Sequence, residues 1–137
     1  MTAQYRFARG VFSHDTALYL IGLSDSAPEL LTMTFPRGYN PSSAKTSGLI
    51  TKSSPEGQHY LGCIVLPTPY GNFVHAYDAE RTLCDMLRGT SHPDLQLLSP
   101  AFRLYLSSSG RNLPKLQSYA KELGVAAKVG KYLEVLL

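Results

Sequence analysis

Three charged side chains, Asp78, Arg81 and Asp85, have the types and the spacing to form one ion network on a helix. Side chains three and four residues apart share a helical face, so we expect the Arg81 guanidinium to reach both carboxylates. Such a network can fix a helix in place, which is the interpretation that we favour. The alternative is a functional acid or anion-binding site.

The chain lacks the spacing of the common cofactor motifs. A phosphate-binding loop built on Gly130 and Lys131 would need a glycine where Val125 stands and a hydroxyl residue where Tyr132 stands. No two glycines stand two residues apart, which excludes the dinucleotide fingerprint. The histidines and cysteines do not have the spacing of zinc ligands. We therefore expect no catalytic residue, no metal site and no cofactor, so the chain is predicted not to be an enzyme.

Ser13, His14 and Asp15 have the side-chain types of a hydrolytic triad, but they are consecutive. Consecutive residues cannot stack as nucleophile, base and orienting acid, so we do not assign them a catalytic role. Serine is instead a preferred residue before the first turn of a helix, and an acidic residue suits that first turn. The segment is therefore interpreted as the start of a helix.

The net charge of +3 is confined to the C-terminal part of the chain. Residues 1–109 contain eight basic and eight acidic residues, whereas residues 110–137 contain five basic and two acidic ones. Lys115 and Lys131 lie away from the apolar stripes of their predicted helices, so we expect both to face solvent. They are candidate residues for binding an acidic partner or a phosphate backbone. The alternative is an ordinary solvated helical face.

The elements that must position these residues form an α+β pattern. The predicted order is strand, helix and four strands, followed by a group of about four helices within residues 89–137. Residues 61–67 and 73–77 are apolar and β-branched, and they flank a turn at residues 69–72. They predict a central hairpin in a small mixed or antiparallel sheet. The length fits a single domain over residues 1–137.

Composition limits the class of protein further. The chain is 44% hydrophobic and 17% charged, which is typical of a globular protein. Its apolar runs are too short to span a bilayer, and no signal peptide is visible. Cys63 and Cys84 are expected to be free thiols rather than a disulfide, because nothing indicates export to an oxidising compartment. We expect a cytoplasmic protein with no membrane contact.

Several stretches together form a recognisable pattern. They read GVFSHDTALYL at residues 10–20 and GLSD at 22–25, TFP at 34–36 and GYN at 38–40, DAERTLCD at 78–85, and KYLEVLL at 131–137. This pattern resembles the AbiEi family of bacterial antitoxins, and it extends over nearly the whole chain. The family belongs to type IV toxin–antitoxin and abortive infection systems.

The resemblance implies a function in phage defence in the bacterial cytoplasm. The chain is similar to the C-terminal antitoxin domain of the family, which is associated with neutralising a nucleotidyltransferase-like toxin, AbiEii, encoded beside it. The expected partner is therefore such a toxin, countered either by direct contact or by an indirect route.

Family members also carry an N-terminal winged helix through which they repress their own operon. Here the match begins almost at Met1, and no stretch has the pattern of a helix-turn-helix with basic recognition residues. We therefore expect no specific DNA binding by this chain. Two other classes stay open: a nucleic-acid-binding transcriptional regulator that uses the basic C-terminal helices, and an enzyme that modifies the product of the toxin.

Overall fold

A computed structural model describes residues 6–68 and 71–137 of the chain. The strands in these residues are β1 (Val11–Phe12), β2 (Thr32–Pro36), β3 (Ile50–Ser54), β4 (Cys63–Pro67) and β5 (Phe73–Tyr77). The α-helices are α1 (His14–Leu20), α2 (Ser42–Thr46), α3 (Ala79–Leu87), α4 (Leu95–Ser107), α5 (Leu113–Glu122) and α6 (Ala126–Leu136). One turn of 3-10 helix (Glu56–Gln58) lies between β3 and β4.

The five strands form one mixed sheet in the order β3-β2-β1-β5-β4. β1 is antiparallel to β2 and parallel to β5, with Val11 opposite Thr34 and Phe12 opposite Ala76. β2 and β3 are parallel, and β4 and β5 form an antiparallel hairpin. The short strand β1 thus lies at the centre of the sheet and joins the β2–β3 pair to the β4–β5 hairpin.

The two faces of β2 show why the sheet has a polar side. Side chains alternate along a strand, so Met33 and Phe35 point to one face, and Thr32 and Thr34 point to the other. Met33 and Phe35 belong to an apolar cluster that also includes Ala44 of α2. The two threonines instead hydrogen-bond to residues at the start of α1. The face toward α1 is therefore built from hydroxyl groups.

A second, larger apolar cluster holds the helices together. Its buried members come from α1, from α3–α6 and from the segment that joins α5 to α6: Leu18, Leu83, Cys84, Leu87, Leu98, Ala101, Phe102, Tyr105, Leu106, Leu116, Ala120, Leu123, Val125 and Val129. Cys84 lies inside this cluster and Cys63 lies on β4, and both are free thiols. Burial raises the pKa of the Cys84 thiol to about 12, so it behaves as an apolar side chain at neutral pH.

The predicted α+β class with a mixed sheet is confirmed, while the detailed layout matches only loosely. The predicted hairpin is present, but it lies at one edge of the sheet rather than at its centre. A short helix, Ser42–Thr46, lies between β2 and β3, where the predicted order has no helix. Pro69 and Tyr70 of the predicted turn lie outside the described residues. No helix in residues 6–68 and 71–137 is long and apolar enough to cross a bilayer.

Candidate functional site

Arg81 is the largest fully buried side chain in the described part of the protein. Only 1% of its surface is exposed. Helix α3 begins beside it because Asp78 caps the first turn, with its Oδ1 accepting a hydrogen bond of 2.9 Å from the Arg81 amide. An arginine cannot lose its charge when it is buried, so its position depends on the partners around the guanidinium.

Those partners come from α3 and from the segment before β4. Nε donates to Asp85 Oδ2 at 3.0 Å, and Nη1 donates to the carbonyls of Gln58 and Leu61 at 2.6 and 2.9 Å. Nη2 donates to Ser54 Oγ at 3.2 Å. The guanidinium therefore ties the helix to the segment between β3 and β4.

The predicted ion network is partly wrong. The Arg81 guanidinium pairs with Asp85. From Arg81, Asp78 accepts a hydrogen bond only from the backbone N–H. Because Asp78 caps the helix, its carboxylate faces the first-turn amides, and its second oxygen lies 2.8 Å from Lys115 Nζ on α5. The helical spacing gave the right pair for Asp85, but it could not anticipate that a cation from a later helix would reach Asp78.

The two candidate partner-binding lysines have different surroundings. Lys115 is ion-paired with Asp78 and lies 3.5 Å from Glu80, and 38% of its side chain is exposed. Its hydrogen bond to Asp78 raises the pKa of Lys115. Lys131 on α6 is exposed and has no ion pair among the described residues. The expectation that Lys115 simply faces solvent is therefore corrected, and a role of either lysine in partner binding stays a prediction.

A pocket of about 270 Å³ lies beside the Arg81–Asp85 pair. We call it the cationic chamber. Its charged lining residues are Arg37, Lys52, Arg81, Asp85 and Arg88, and His14, Thr34 and Ser54 add polar groups. Asp85 neutralises Arg81, whereas the other three cations have no carboxylate within 4.0 Å among the described residues. The chamber therefore carries an excess of three positive charges.

His14 stands at the wall of this chamber in a strained backbone conformation. Its φ is +56°, and it is the one non-glycine residue with positive φ in residues 6–68 and 71–137. Thr34 donates to Ser13 Oγ at 2.7 Å, and Ser13 Oγ lies 2.9 Å from His14 Nδ1. We place the Ser13 proton on the bond to Nδ1, which leaves Nε2 as the protonated nitrogen of a neutral imidazole.

The electrostatic surroundings keep His14 neutral. Burial lowers its pKa to about 4, and the positive charges of Lys52 and Arg81 act in the same direction. Asp15 does not counter this effect by pairing with the ring, because its Oδ1 accepts from the Thr16 amide and the Thr32 hydroxyl. The Ser13–His14 contact is thus formed by consecutive residues, but the described contacts of Asp15 do not complete a triad.

A second pocket of about 380 Å³ adjoins the cationic chamber. We call it the adjoining chamber. The two share the wall residues His14, Lys52, Asp85, Arg88 and Gly89, so they lie side by side, and we call the pair the cleft. The adjoining chamber differs in its lining, which adds carboxylates and apolar side chains: Asp15, Ile50, Met86, Asp94 and Leu97. The cleft is therefore cationic at one end, has Lys52 and Arg88 where the two chambers meet, and carries carboxylates and apolar side chains at the other end.

This arrangement is suited to binding an anion. Arginine and lysine are the side chains that bind phosphate and carboxylate groups, and the hydroxyl and imidazole groups can orient them. Among the residues described, no group of three or more His, Cys, Asp or Glu side chains could hold a metal ion. The cleft can position a charged ligand. Ser13 is fully buried behind His14 and does not line either chamber.

In comparisons with known proteins, no family model and no curated protein matches the chain. Three of the six stretches that carry the AbiEi resemblance meet in space. Residues 10–20 form β1 and α1, residues 34–36 end β2, and residues 78–85 form most of α3. Ser13, Thr34 and Arg81 from these three stretches lie at or beside the cationic chamber.

The sequence did not indicate the cationic chamber. Arg37, Lys52 and Arg88 are far apart in the chain and belong to the region with balanced charge. Only the pairing of β3 with β2 and the packing of α3 bring them to one pocket. The strained histidine also had no sequence signature, although the position of Ser13 directly before a helix placed it correctly.

Proposed function

We propose that the chain is an antitoxin domain of a bacterial toxin–antitoxin system that counters a nucleotidyltransferase-like toxin in the cytoplasm. One observation supports this proposal above others. Three stretches of the chain that carry the AbiEi resemblance, separated by up to about forty residues, converge on one polar cleft. The same stretches also supply core residues, such as Phe12, Phe35 and Leu83, and the cleft is where their polar side chains meet.

Within this proposal the protein acts by binding. The buried Arg81 holds the walls of the cleft in place, and the unpaired cations Arg37, Lys52 and Arg88 provide the charge. An electrostatically complementary partner associates faster and more specifically with such a surface. The toxin is countered either through contact with this surface or through a ligand that both proteins share.

The alternative, a regulator that binds nucleic acid through the C-terminal helices, has less support. Lys128 Nζ donates to the carbonyls of Leu87 and Thr90 at 2.9 and 2.6 Å, and Arg111 donates to the Leu106 carbonyl at 2.8 Å. Lys115 is ion-paired with Asp78. Most of the C-terminal positive charge is thus used inside the fold, where it stabilises helix ends and ion pairs.

The proposal is tested by growth rescue. A nucleotidyltransferase-like toxin encoded beside this chain is expressed from an inducible promoter in a bacterial host, with and without the chain, and surviving colonies are counted. We expect the chain to restore growth. Failure of the chain to protect, at a protein level at which it is folded and soluble, would contradict the antitoxin assignment.

Variants then locate the working surface in the same assay. Arg37→Glu with Lys52→Glu changes the cleft, and Lys131→Glu changes the exposed face of α6. Lys45→Glu with Lys121→Glu is the matched control, because these two exposed lysines contribute the same charge but line neither chamber. We expect loss of protection for the cleft pair and full protection for the control pair.

A further inference from the structure

The charge distribution along the cleft is uneven, and this unevenness indicates the chemistry of a ligand. Of the three cations without a carboxylate partner in the described residues, Arg37 lines only the cationic chamber, and Lys52 and Arg88 line both chambers. Asp15 and Asp94 line only the adjoining chamber. A ligand that fits both chambers must be strongly anionic at one end and must offer hydrogen-bond donors at the other. A simple anion would match only the first chamber.

We propose that the cleft binds a nucleoside phosphate, with the phosphate groups in the cationic chamber and the nucleoside in the adjoining chamber. A free nucleotide and the end of an RNA strand present the same chemistry, and the binding experiment below distinguishes these two sources. The inference stands on the cleft alone and does not depend on the antitoxin proposal.

The cationic chamber has the donors that a phosphate group needs. Arg37 and Arg88 carry planar guanidinium groups that can each donate two hydrogen bonds to phosphate oxygens, and Lys52 adds a compact charge. Neutral His14 adds an uncharged donor at the same wall, since Ser13 occupies its Nδ1. A non-glycine residue held at positive φ is a strained feature of the kind that clusters at ligand sites.

The adjoining chamber has the features of a nucleoside site. Carboxylates accept hydrogen bonds from ribose hydroxyls and from the amino groups of bases. The Oδ1 atom of Asp15 accepts a hydrogen bond of 2.8 Å from the Thr16 amide, and the Oδ1 atom of Asp94 accepts one of 3.3 Å from the Leu97 amide. Ile50, Met86 and Leu97 offer apolar contact to a base.

The size of the cleft agrees with a ligand of this class. The chambers have volumes of about 270 and 380 Å³ and lie side by side at their shared wall residues. Small-molecule sites are typically about 300–1,000 Å³. A phosphate alone would leave most of this space empty, and a nucleotide would occupy both parts.

The experiment is a binding measurement by titration calorimetry on the purified full chain. The probes are inorganic phosphate, pyrophosphate, the four ribonucleoside triphosphates, adenosine and a short single-stranded RNA. We expect at least one triphosphate or the RNA to bind with a Kd below about 1 mM and to weaken as salt rises. Adenosine, which lacks the phosphate, is expected to bind at least about tenfold more weakly than the matching nucleotide.

Two double variants with equal change in net charge test the location. Arg37→Glu with Lys52→Glu is expected to reduce the affinity at least about tenfold, whereas Lys45→Glu with Lys121→Glu is expected to leave it nearly unchanged. All four positions are exposed, so the melting temperature of each variant serves as the check on folding.

The outcomes decide each part of the inference. Binding of free nucleotide, or of RNA alone, supports it and identifies the source of the nucleoside. No binding of any triphosphate or of the RNA at about 1 mM overturns it. An affinity for nucleotides no better than that for pyrophosphate overturns the assignment of the adjoining chamber. An equal loss in both double variants overturns the assignment of the cationic chamber. None of these results depends on growth rescue, so the antitoxin proposal can fail or succeed separately.

Discussion

Arg81 on α3 and Arg88 directly after α3 line the same pocket, but their surroundings differ. Arg81 is buried and donates to one carboxylate, two carbonyls and a hydroxyl. Arg88 follows the last turn of α3, is half-buried, and has no carboxylate within 4.0 Å among the described residues. A saturated cation stabilises the fold, whereas a cation with free donors is available to a ligand.

The comparison extends to the residues around each cation. Tyr77 places its ring 4.1 Å from the Arg81 guanidinium, and Gly62 allows β4 to start against the same side chain. Arg37, Lys52 and Arg88 have instead a pocket in front of them. We therefore expect substitutions near Arg81 to change the free energy of unfolding and substitutions of the other three cations to change binding.

The largest expected effect is that of Arg81→Ala. The change leaves Asp85 buried without its partner and removes donors from two carbonyls, so unfolding should become easier by about 3–5 kcal/mol. Urea denaturation gives this value. Arg88→Ala is the matched control and should stay within about 0.5 kcal/mol of the parent. A loss below about 1 kcal/mol for Arg81→Ala would show that the network does not hold the fold.

The next effect concerns the glycine beside Arg81. A Cβ added at Gly62 would lie 2.7 Å from Arg81 Cβ and 2.9 Å from Asp78 Oδ1, and the φ of Gly62 is +77°. Gly89 has a similar φ of +70° but open space around it. Gly89→Ala should therefore cost about 1–2 kcal/mol for backbone strain alone, and Gly62→Ala should cost a further 1–3 kcal/mol, approximately, for overpacking.

Thermal and urea denaturation of the two glycine variants measure this difference. Equal destabilisation of Gly62→Ala and Gly89→Ala would mean that the contact between the start of β4 and the Arg81 side chain is looser than the distances indicate. The comparison is informative because both variants carry the same backbone conformation, so the shared strain cancels.

His14 provides a pH-dependent test of the cationic chamber. Its pKa falls from 6.5 to about 4 on folding, so the stability from the neutral ring is fully present above pH 6.5 and is lost as the pH falls toward 4. His14→Asn should keep the positive φ, which asparagine tolerates, and should remove this dependence. We expect a difference of about 1–3 kcal/mol in the pH dependence of unfolding between pH 7 and pH 4.

The comparison between the variant and the parent isolates His14, because the carboxylates and the other histidines titrate in both proteins. Urea denaturation at a series of pH values gives the two curves. Parallel curves would show that the imidazole is as easily protonated in the fold as in the unfolded chain. Lys52 is one of the charges that lower the pKa of His14. Lys52→Ala should therefore bring this pKa closer to 6.5 and make the contribution of His14 to the pH dependence smaller.

The smallest effects are expected from the two C-terminal lysines. Lys115→Glu places a third carboxylate beside Asp78 and Glu80, so we expect a loss of about 1 kcal/mol despite its partial exposure. Lys131→Glu should change stability by less than about 0.5 kcal/mol. Denaturation of each single variant tests this order, and a neutral Lys115→Glu would show that the ion pair to Asp78 contributes nothing in solution.

Much of the local structure could be predicted from the residues. The cap at Asp78, the helix that follows it, the pair of strands before it and the Arg81–Asp85 pair all depend on residues within a few positions of one another. The free thiols at Cys63 and Cys84 and the α+β class also followed from composition and pattern. These features need no knowledge of how distant segments meet, which is why sequence reasoning reached them.

The partners of charged groups from distant segments could not be predicted. Lys115 pairs with a carboxylate thirty-seven positions earlier, and Lys128 donates to the end of α3. Helical wheels place both lysines relative to their own helix only, and they contain no information on which neighbouring helix supplies acceptors. The positive φ of His14 was equally hidden, as was the hydrogen bond between the neighbouring Ser13 and Thr34, which lies twenty-one positions later.

From the sequence alone it followed that a helix begins after Ser13, that two strands form a hairpin before Asp78, and that Arg81 pairs with Asp85 along its own helix. The tertiary structure alone decided which cations stay available. Arg37, Lys52 and Arg88 share a pocket because β3 pairs in parallel with β2 and α3 packs behind them. Local patterns act over a few residues, whereas the surroundings of a charge depend on every segment that folds against it.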